Sequence, residues 1–374
     1  MHVLSSLIFS ALSLSAGCEP DVVRIGTLTY DRACLELSEG QSAMTLLDAN
    51  GDGHLDLAVV NESFDELVLF AGDGKGTFTR MGRTNAGENP TSVMAGDVSG
   101  DGHDDLVIAN HETTYLTLLN GDGTGAFAAA ENSPLQVPVA PHPHMAGLKD
   151  MNQDGRPDIL IDHRNGAGIL VLAGLGAGQF ASEGRLINVG GDPYRGFAIG
   201  DVNGDQLPDI VTPNPSEIGV ILQAQDGEMT FQQPVFLASS SPFAVDLADF
   251  NGDDRLDMVA ASAGSRQSVQ LFLQSAEGHL VEAAFSPFDM AGGAKQIVVG
   301  DLNADGYDDA LIGCWNQEVL MLLGGKGPVQ ALPLHDVGTP WGMVAGDLNG
   351  DGRDDFIVAD GEHSAARVFL SKAD

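Results

Sequence analysis

Cysteine is scarce in this chain: 374 residues contain three, at Cys18, Cys34 and Cys314. Small domains stapled by disulfides need several cysteine pairs, so no disulfide framework holds this fold together. A single bridge between Cys34 and Cys314 stays open as an alternative. A lone buried thiol is the more common outcome for each of them.

Positive charge is also scarce, because 17 Lys and Arg residues stand against 53 Asp and Glu residues, for a formal net charge of −36. Nucleic acids and anionic membrane surfaces attract proteins through clustered basic residues, which this composition lacks. The charge balance therefore argues strongly against both classes of partner. A generally acidic, solvated surface accounts for part of the excess.

Long apolar runs are missing after residue 18, where no segment approaches the ~20 residues of a membrane-spanning helix. A shorter run, Val3 to Leu14, precedes small residues and Cys18, which is typical of a signal peptide over residues 1–17. The segment from Leu14 to Cys18 resembles a bacterial lipoprotein cleavage site, where the cysteine becomes the lipidated N-terminus. It departs from that pattern because no Lys or Arg precedes Arg24 and because Ser15 replaces the usual larger aliphatic residue.

We therefore expect export, either to the bacterial cell envelope with a lipid anchor at Cys18 or to the extracellular space. Residues 18–29 are predicted to form a short tether. Residues 30–374 are predicted to form one architecture.

The dominant feature of the chain is a nine-residue motif, Asp-x-Asn-x-Asp-Gly-x-x-Asp, that occurs seven times. The copies begin at Asp48, Asp97, Asp150, Asp201, Asp249, Asp301 and Asp347. Their spacing makes the chain an array of one unit of about 50 residues. Units of such arrays pack on their neighbours, so a long chain needs no single large core.

Each unit contains four short β-prone runs, most clearly in the second repeat. Thr91 to Gly96 leads into the motif, Leu106 to Asn110 leaves it, Tyr115 to Leu119 follows, and a Gly/Asp turn precedes a run from Phe127. No segment of comparable length shows helical spacing. Seven such units predict an all-β fold, a seven-bladed β-propeller of four-stranded antiparallel blades.

An open β-solenoid is the alternative architecture, and the chain ends favour the propeller. After the last motif only two more strands fit, whereas an extra β-prone segment near Cys34 to Leu37 precedes the first motif. In a ring, this N-terminal strand would complete the seventh blade as its outermost strand. Closure would also remove the free edge that an open array exposes.

These repeats resemble the FG-GAP or VCBS family, which includes the ligand-binding propeller of integrin α chains. The resemblance covers about residues 30–374 and rests on the seven acidic motifs. It implies a Ca²⁺ ion in the loop between the first and second strands of each blade, up to seven ions in all.

The chemistry of the motif agrees with calcium. Side-chain oxygens at positions 1, 3, 5 and 9 and a carbonyl at position 7 form a hard oxygen shell, and glycine at position 6 permits a sharp turn. No helices flank these loops, which excludes an EF-hand and its helix-opening switch. The predicted ligands are Asp48, Asn50, Asp52, Asp56, Asp97, Ser99, Asp101, Asp105, Asp150, Asn152, Asp154, Asp158, Asp201, Asn203, Asp205, Asp209, Asp249, Asn251, Asp253, Asp257, Asp301, Asn303, Asp305, Asp309, Asp347, Asn349, Asp351 and Asp355.

The seven motifs are not equivalent. The second has Ser99 at position 3, the fifth has Asp254 at position 6, and the fourth has Gln206 there, which suits left-handed geometry poorly. The fourth site is therefore predicted to be the weakest or empty. The alternative for any loop is a metal-free turn held by Asp and Asn side chains. Bound calcium is expected to be structural, because it would stabilise the folded blades.

The face opposite these loops is where partner-specific residues are expected, and one position per repeat varies most. Six residues before each motif stand Ser42, Thr91, His144, Arg195, Phe243, Lys295 and Trp341. They begin the innermost strands, so their side chains are predicted to ring the mouth of the central channel. Proline precedes four of them, which stiffens the entry into the strand.

Trp315 and Trp341 fall in adjoining blades on that face. Aromatic platforms beside Asn, Glu and His suit a sugar ring, although the tryptophans would equally serve to pack the channel mouth. The candidate ligand-binding residues are His144, Arg195, Phe243, Lys295, Trp315, Trp341 and His363.

The sequence thus predicts an exported, calcium-stabilised binding or adhesion module for a protein or a glycan. A carbohydrate-binding lectin is the first alternative. A polysaccharide-acting enzyme is the second, with His144, Arg195, Lys295 or His363 as acid/base groups, but the chain has no Gly-x-Ser-x-Gly, His-Glu-x-x-His or phosphate-binding glycine loop.

Overall fold

The computed structural model describes residues 20–372 apart from residues 39, 140–142, 164–167, 194–195, 227–228 and 265. The predicted signal peptide, Cys18 and Arg195 lie outside these residues. The described chain consists of strands and turns without a helix, as the all-β prediction requires. None of it forms a helix that could span a membrane.

The strands form seven antiparallel sheets, numbered here as blades 1 to 7 in chain order. The innermost strands are Gln41–Leu47, Pro90–Gly96, Ala146–Lys149, Ala198–Gly200, Pro242–Ala248, Ala294–Gly300 and Pro340–Gly346. The second strands are Asp56–Asn61, Asp105–Asn110, Asp158–His163, Asp209–Pro213, Asp257–Ser262, Asp309–Cys314 and Asp355–Asp360.

The outer half of each blade is more variable. The third strands are Glu66–Gly72, Tyr115–Gly121, Gly168–Leu172, Glu217–Ile221, Ser268–Gln274, Glu318–Leu323 and Ala365–Ser371. The fourth strands of blades 1 to 6 are Phe78–Asn85, Phe127–Ala129, Arg185–Asn188, Val235–Ala238, Leu280–Glu282 and Gln330–His335. Leu135–Gln136 and Phe288–Asp289 extend blades 2 and 5, and Gly174–Gly176 with Gln179–Phe180 forms a small hairpin after blade 3.

The hydrophobic core is divided into layers between neighbouring blades. One layer joins Val60 and Leu67 of blade 1 to Ile108 of blade 2, and another joins Val259 of blade 5 to Ile312 of blade 6. Because a second strand is covered by a blade on each side, it reads as a continuous apolar run, as in Leu106 to Ala109, all fully buried. This arrangement is the nearest-neighbour packing expected of repeats.

The ring closes through the N-terminal segment. Strand Leu28–Glu36 pairs antiparallel with Ala365–Ser371, the third strand of blade 7, and so completes that blade. The innermost strands of blades 1 and 7 also contact each other. The predicted closure of a seven-bladed propeller is therefore confirmed, and the open solenoid is wrong.

Closure differs from the prediction in one detail. A further strand, Asp21–Ile25, pairs outside Leu28–Glu36 through a turn at Gly26, which has a φ of 59°. Residues from Asp21 onward, assigned to a tether in the sequence analysis, thus belong to the sheet, and the closing strand is fourth of five rather than outermost. The alternation in Asp21–Ile25, with Val23 and Ile25 facing inward, explains why this short segment pairs.

Cys34 and Cys314 do not form the bridge that the sequence left open. Cys314 is a free thiol, fully buried in blade 6, and burial raises its pKa to about 12. Cys34 is disulfide-bonded. A bridge between Cys34 and Cys314 is therefore excluded, and the expectation of a lone thiol is correct for Cys314 and wrong for Cys34.

Candidate functional site

All seven acidic loops share one backbone conformation. Position 6 has a positive φ in every copy, including Gln206 at 69° and Asp254 at 63°, which replace the usual glycine. Position 4 is also left-handed throughout, even at Gln153 and Ala304. The loop geometry therefore overrides the preference of individual residues, at a cost of roughly 1–2 kcal/mol for a non-glycine residue.

The acidic side chains at positions 1 and 5 hold this turn by hydrogen bonds. In the first loop, Asp48 accepts the backbone N–H groups of Gly51, Asp52 and Gly53 at 2.8, 3.1 and 3.0 Å, and Asp52 accepts that of His54 at 2.9 Å. Equivalent bonds from positions 5 and 6 to the first Asp recur in the other six loops. These are the contacts of the metal-free alternative, and they leave carboxylate lone pairs for a cation.

The ninth position has a second role that the motif alone did not show. Each of these aspartates is fully buried and begins the second strand. In blade 2, Asp105 accepts the N–H of Val98 at 3.0 Å with one oxygen and that of Gly121 at 3.0 Å with the other. The same two bonds occur in every blade, so this carboxylate ties the loop to the end of the third strand.

Burial makes these carboxylates harder to ionise. Burial, together with the other carboxylates of the same loop, raises the pKa of Asp209 and Asp257 to about 7, that of Asp309 to about 8 and that of Asp355 to about 6. Backbone N–H donors act in the opposite direction. The charged form is therefore costly here.

The donor set fits a calcium ion by its chemistry, since each loop offers three carboxylates and, in most copies, an Asn oxygen. Among the described residues, one group brings three carboxylates within 4.8 Å of one another: Asp201, Asp205 and Asp209 of the fourth loop. The sequence predicted this loop to be the weakest because of Gln206. Its carboxylates nevertheless converge, so that prediction depends on backbone strain at Gln206 alone.

On the opposite face, β-bulges account for the variable position. The register shifts between Gln41 and Ala43, Pro90 and Ser92, Pro242 and Ala244, Ala294 and Gln296, and Pro340 and Gly342. The skipped residues are Ser42, Thr91, Phe243, Lys295 and Trp341. A bulged residue is released from the ladder and its side chain can be re-aimed, which explains why this position varies within a regular repeat.

Three of the predicted ligand-binding residues meet at blades 6 and 7. The Trp315 and Trp341 rings are perpendicular, with centroids 6.1 Å apart, and Lys295 Nζ lies 3.2 Å from the Trp341 centroid and 4.7 Å from that of Trp315. Both tryptophans are exposed, by 42% and 37% respectively. Gly361 makes room for this cluster, because a side chain there would overlap the Trp341 ring.

Polar groups surround the tryptophan pair. Gln317 of blade 6 donates to Glu362 of blade 7 at 3.3 Å, which links the two turns that follow the second strands. His363, largely exposed, contacts the buried Asp360 at 2.9 Å, and Arg367 donates to the same oxygen at 3.0 Å. Burial alone would raise the pKa of Asp360, but these bonds and backbone N–H donors lower it overall.

His144 lies across the channel mouth in a different cluster. Its ring is 4.5 Å from that of His111, and His111 Nδ1 lies 3.8 Å from a Glu62 oxygen. Burial and the nearby Glu112 carboxylate raise the pKa of Glu62, whereas Lys295 lowers it. Phe243 is partly buried in blade 5.

The central channel opens between these clusters. It forms a cavity of about 620 Å³ lined by the innermost strands of all seven blades, with His144, Lys295 and Trp341 among the residues at its mouth. One acidic residue, Asp246, lines its interior. The sequence analysis missed Asp246, although an acid within the apolar run of Pro242–Ala248 was a visible signal. It also missed Gln317, which no regular pattern marks.

Comparisons with solved structures identify propellers of similar shape. The BBS1N chain of a complex with ARL6DN superposes with a TM-score of 0.63 at 11% identity, covering 90% of this chain and 93% of that one. Virginiamycin B lyase from Staphylococcus aureus gives 0.59 at 13% identity, covering 91% and 99%. An Agrocybe aegerita lectin that recognises non-reducing terminal N-acetylglucosamine gives 0.51 at 17% identity, covering 86% and 84%. At these identities the likeness shows the fold alone.

Sequence comparison is more specific. No curated protein matches the chain. The family model of the FG-GAP-like repeat matches five overlapping segments, residues 48–108, 97–161, 150–212, 201–260 and 249–312, which together span well over half of the sequence. This seven-bladed propeller therefore belongs to the FG-GAP-like repeat family.

Proposed function

We propose that the protein is a calcium-stabilised binding module whose partner, a protein or a glycan, contacts the face opposite the acidic loops. The observation that carries this proposal is the exposed, perpendicular pair of Trp315 and Trp341 at the channel mouth. Neighbouring exposed aromatic side chains that form a patch mark an interaction surface, whereas single ones are common, and tryptophan is enriched among residues that dominate binding energy.

Construction of this face supports the proposal. Bulges aim side chains of different chemistry from a regular scaffold toward one opening, which is an efficient way to vary specificity without changing the fold. Propellers of this shape include BBS1N, solved in complex with ARL6DN, and a lectin that recognises N-acetylglucosamine. The fold thus accommodates partners of both classes.

A glycan is the candidate favoured by the surroundings of Trp315. Its ring is exposed, and the side chains of Gln317, Glu362 and His363 lie on the adjoining turns. Sugar recognition combines stacking of an apolar ring face on an aromatic platform with hydrogen bonds at the rim. Lys295 already covers the Trp341 ring, so Trp315 is the platform we assign to the sugar.

Calcium and export complete the proposal. The donor set of the seven loops supports one structural Ca²⁺ per blade, held by the side chains of positions 1, 3, 5 and 9. We expect the protein to be exported through its signal peptide, to the cell envelope or to the extracellular space.

The test compares the Trp315→Ala/Trp341→Ala double variant with Phe64→Ala on a glycan array. Phe64 is 60% exposed and lies in the blade 1 turn on the same face, so it controls for loss of exposed aromatic surface. We expect the double variant to lose at least about tenfold in affinity, or roughly 1.4 kcal/mol, and Phe64→Ala to bind normally.

Two results would decide against parts of the proposal. Glycan binding that survives in the double variant would remove the tryptophan site. If no glycan binds, a peptide display library should be selected on the native protein and counter-selected on the double variant. Peptides recovered without discrimination between the two proteins would overturn the binding face itself.

A further inference from the structure

Asp246 occupies an unusual place for a carboxyl group. It lies in the innermost strand of blade 5, within the sequence Phe-Ala-Val-Asp-Leu-Ala, and lines the central cavity. Apolar side chains such as Met94, Phe197 and Ile199 form much of the surrounding wall. The other residues of this strand are apolar, so packing within the blade does not explain an aspartate at this position.

The protein offers the Asp246 carboxylate few groups that would stabilise its negative charge. Its one hydrogen bond among the described residues comes from the backbone N–H of Leu247, at 2.9 Å, and it forms no ion pair with them. The side chain is partly exposed to the channel, but the channel itself is surrounded by protein. This burial raises the pKa of Asp246 to about 7. An ionised carboxylate in such a place is costly unless a counter-charge approaches it.

The other charged groups of the cavity do not supply that counter-charge. Lys295 is held over Trp341 at the mouth, and Lys149 is exposed at the end near the acidic loops. Neither lysine shifts the pKa of Asp246, and neither does His144 at the mouth. The carboxyl therefore faces the lumen alone.

These features define a ligand chemistry. A carboxylate in a channel whose wall includes apolar side chains such as Phe197 and Ile199 is complementary to a cationic head on an aliphatic stem. Asp246 lies three residue steps along the strand from Phe243 at the mouth, so the head must reach roughly 10 Å into the channel. A bare cation would leave the apolar wall without a partner.

We propose that the central channel binds an alkylammonium or alkylguanidinium group, with the Asp246 carboxylate as its counter-ion. The group belongs either to a free organic amine or to a lysine or arginine side chain of a protein docked on the tryptophan face. The site deepens the proposed function in the second case and stands independently of it in the first.

The experiment is calorimetric titration of the calcium-loaded protein at pH ~8, where most of the Asp246 carboxyl is ionised. The probes are n-hexylamine, agmatine, a lysine-containing peptide, and n-hexanol as the neutral control. We expect the amines to bind and hexanol not to bind. Tight binding of the peptide but not of the free amines would identify the side-chain source.

Variants separate this site from the binding face. Asp246→Asn should weaken amine binding at least about tenfold. Asp289→Asn, an exposed position of the same blade, and Trp315→Ala should leave it unchanged. If Asp246→Asn fails to fold, Ser92→Phe, which narrows the channel without changing its charge, should abolish binding instead.

Three outcomes would overturn the proposal. They are equal affinity for hexanol and hexylamine, full amine binding by a folded Asp246→Asn protein, and no binding of any cationic probe at millimolar concentration. If the tryptophan variant loses glycan binding but still binds the amines, the glycan site and the amine site are independent of each other.

Discussion

At the residue scale, the ninth aspartate of each motif has a structural role in addition to its proposed role as a calcium ligand. In blade 2 both oxygens of Asp105 accept backbone N–H groups, and the side chain is fully buried. A residue that the sequence predicts to be a metal ligand therefore also joins the loop to the third strand by hydrogen bonds. The sequence could not reveal this, because the partner at Gly121 depends on how the third strand returns to the loop.

The hydrogen bonds of Asp105 lead to a prediction about stability. Asp105→Ala removes the acceptor of the Ser99 and Gly121 N–H groups, whereas Val98 keeps the Gly96 carbonyl as an acceptor. Because two N–H groups lose their acceptor, we expect the variant to lower the free energy of unfolding by about 3 kcal/mol. Asp104→Ala, the neighbouring residue in the same loop, should change it by less than ~0.5 kcal/mol. Urea denaturation in the presence of chelator measures both effects without a metal contribution. Equal urea midpoints for the two variants would show that the hydrogen bonds of Asp105 do not stabilise the fold.

The candidate binding residues were partly predictable at this scale. The variable position six residues before each motif was visible in the sequence, and the bulges now give its physical basis at Thr91, Phe243, Lys295 and Trp341. Pairing of Trp315 with Trp341 followed from their place in adjoining blades. Lys295 over Trp341 did not follow, because side-chain direction at a bulge is set by local geometry rather than by strand alternation.

At the element scale, the closing strand holds the ring together. Tyr30 in Leu28–Glu36 is buried against Phe356, with ring centroids 5.3 Å apart, and Leu35 packs into the layer between blades 7 and 1. The sequence predicted this strand from a β-prone segment without a repeat of its own. It missed Asp21–Ile25, because a five-residue strand at the edge carries too little pattern to stand out.

Truncation tests the closing strand. A chain that starts at Ser38 loses Leu28–Glu36, which removes the burial of Tyr30 and Leu35 and exposes Ala365–Ser371 as an edge. We expect at least about 3 kcal/mol of destabilisation and self-association through the open edge. A chain that starts at Thr27 loses only the outer strand and should stay monomeric with a smaller change.

Thermal unfolding and light scattering after size-exclusion chromatography distinguish these results. If the chain starting at Ser38 unfolds at the same temperature as the one starting at Thr27 and remains monodisperse, the ring does not depend on its N-terminal strand.

At the scale of the whole molecule, the excess negative charge and the seven acidic loops both affect the free energy of unfolding. With a formal net charge of −36, the folded chain repels itself, and the loops concentrate carboxylates on one face. The Asp and Asn hydrogen bonds already hold each turn, so calcium is not needed to define the loop. The Ca²⁺ that we propose would instead stabilise the protein by binding the folded state and relieving repulsion among the carboxylates.

Removal of calcium therefore tests the metal proposal for the molecule as a whole. Each site at 100 times its dissociation constant adds about 2.7 kcal/mol, so chelation should lower the unfolding temperature strongly, and added Ca²⁺ should restore it. Mg²⁺ should restore it poorly, because the smaller ion demands octahedral geometry. Chelator and control samples must have the same ionic strength, since salt alone screens the repulsion.

Single-loop variants then separate the sites. Asp347→Asn changes a loop with glycine at position 6, whereas Asp201→Asn changes the loop in which Gln206 adopts a φ of 69°. If backbone strain weakens the fourth site, Asp201→Asn should reduce the calcium-dependent stabilisation less than Asp347→Asn does. If convergence of Asp201, Asp205 and Asp209 dominates instead, the order should reverse. An unfolding temperature that is the same with calcium and with chelator would leave the loops as turns held by their own carboxylates.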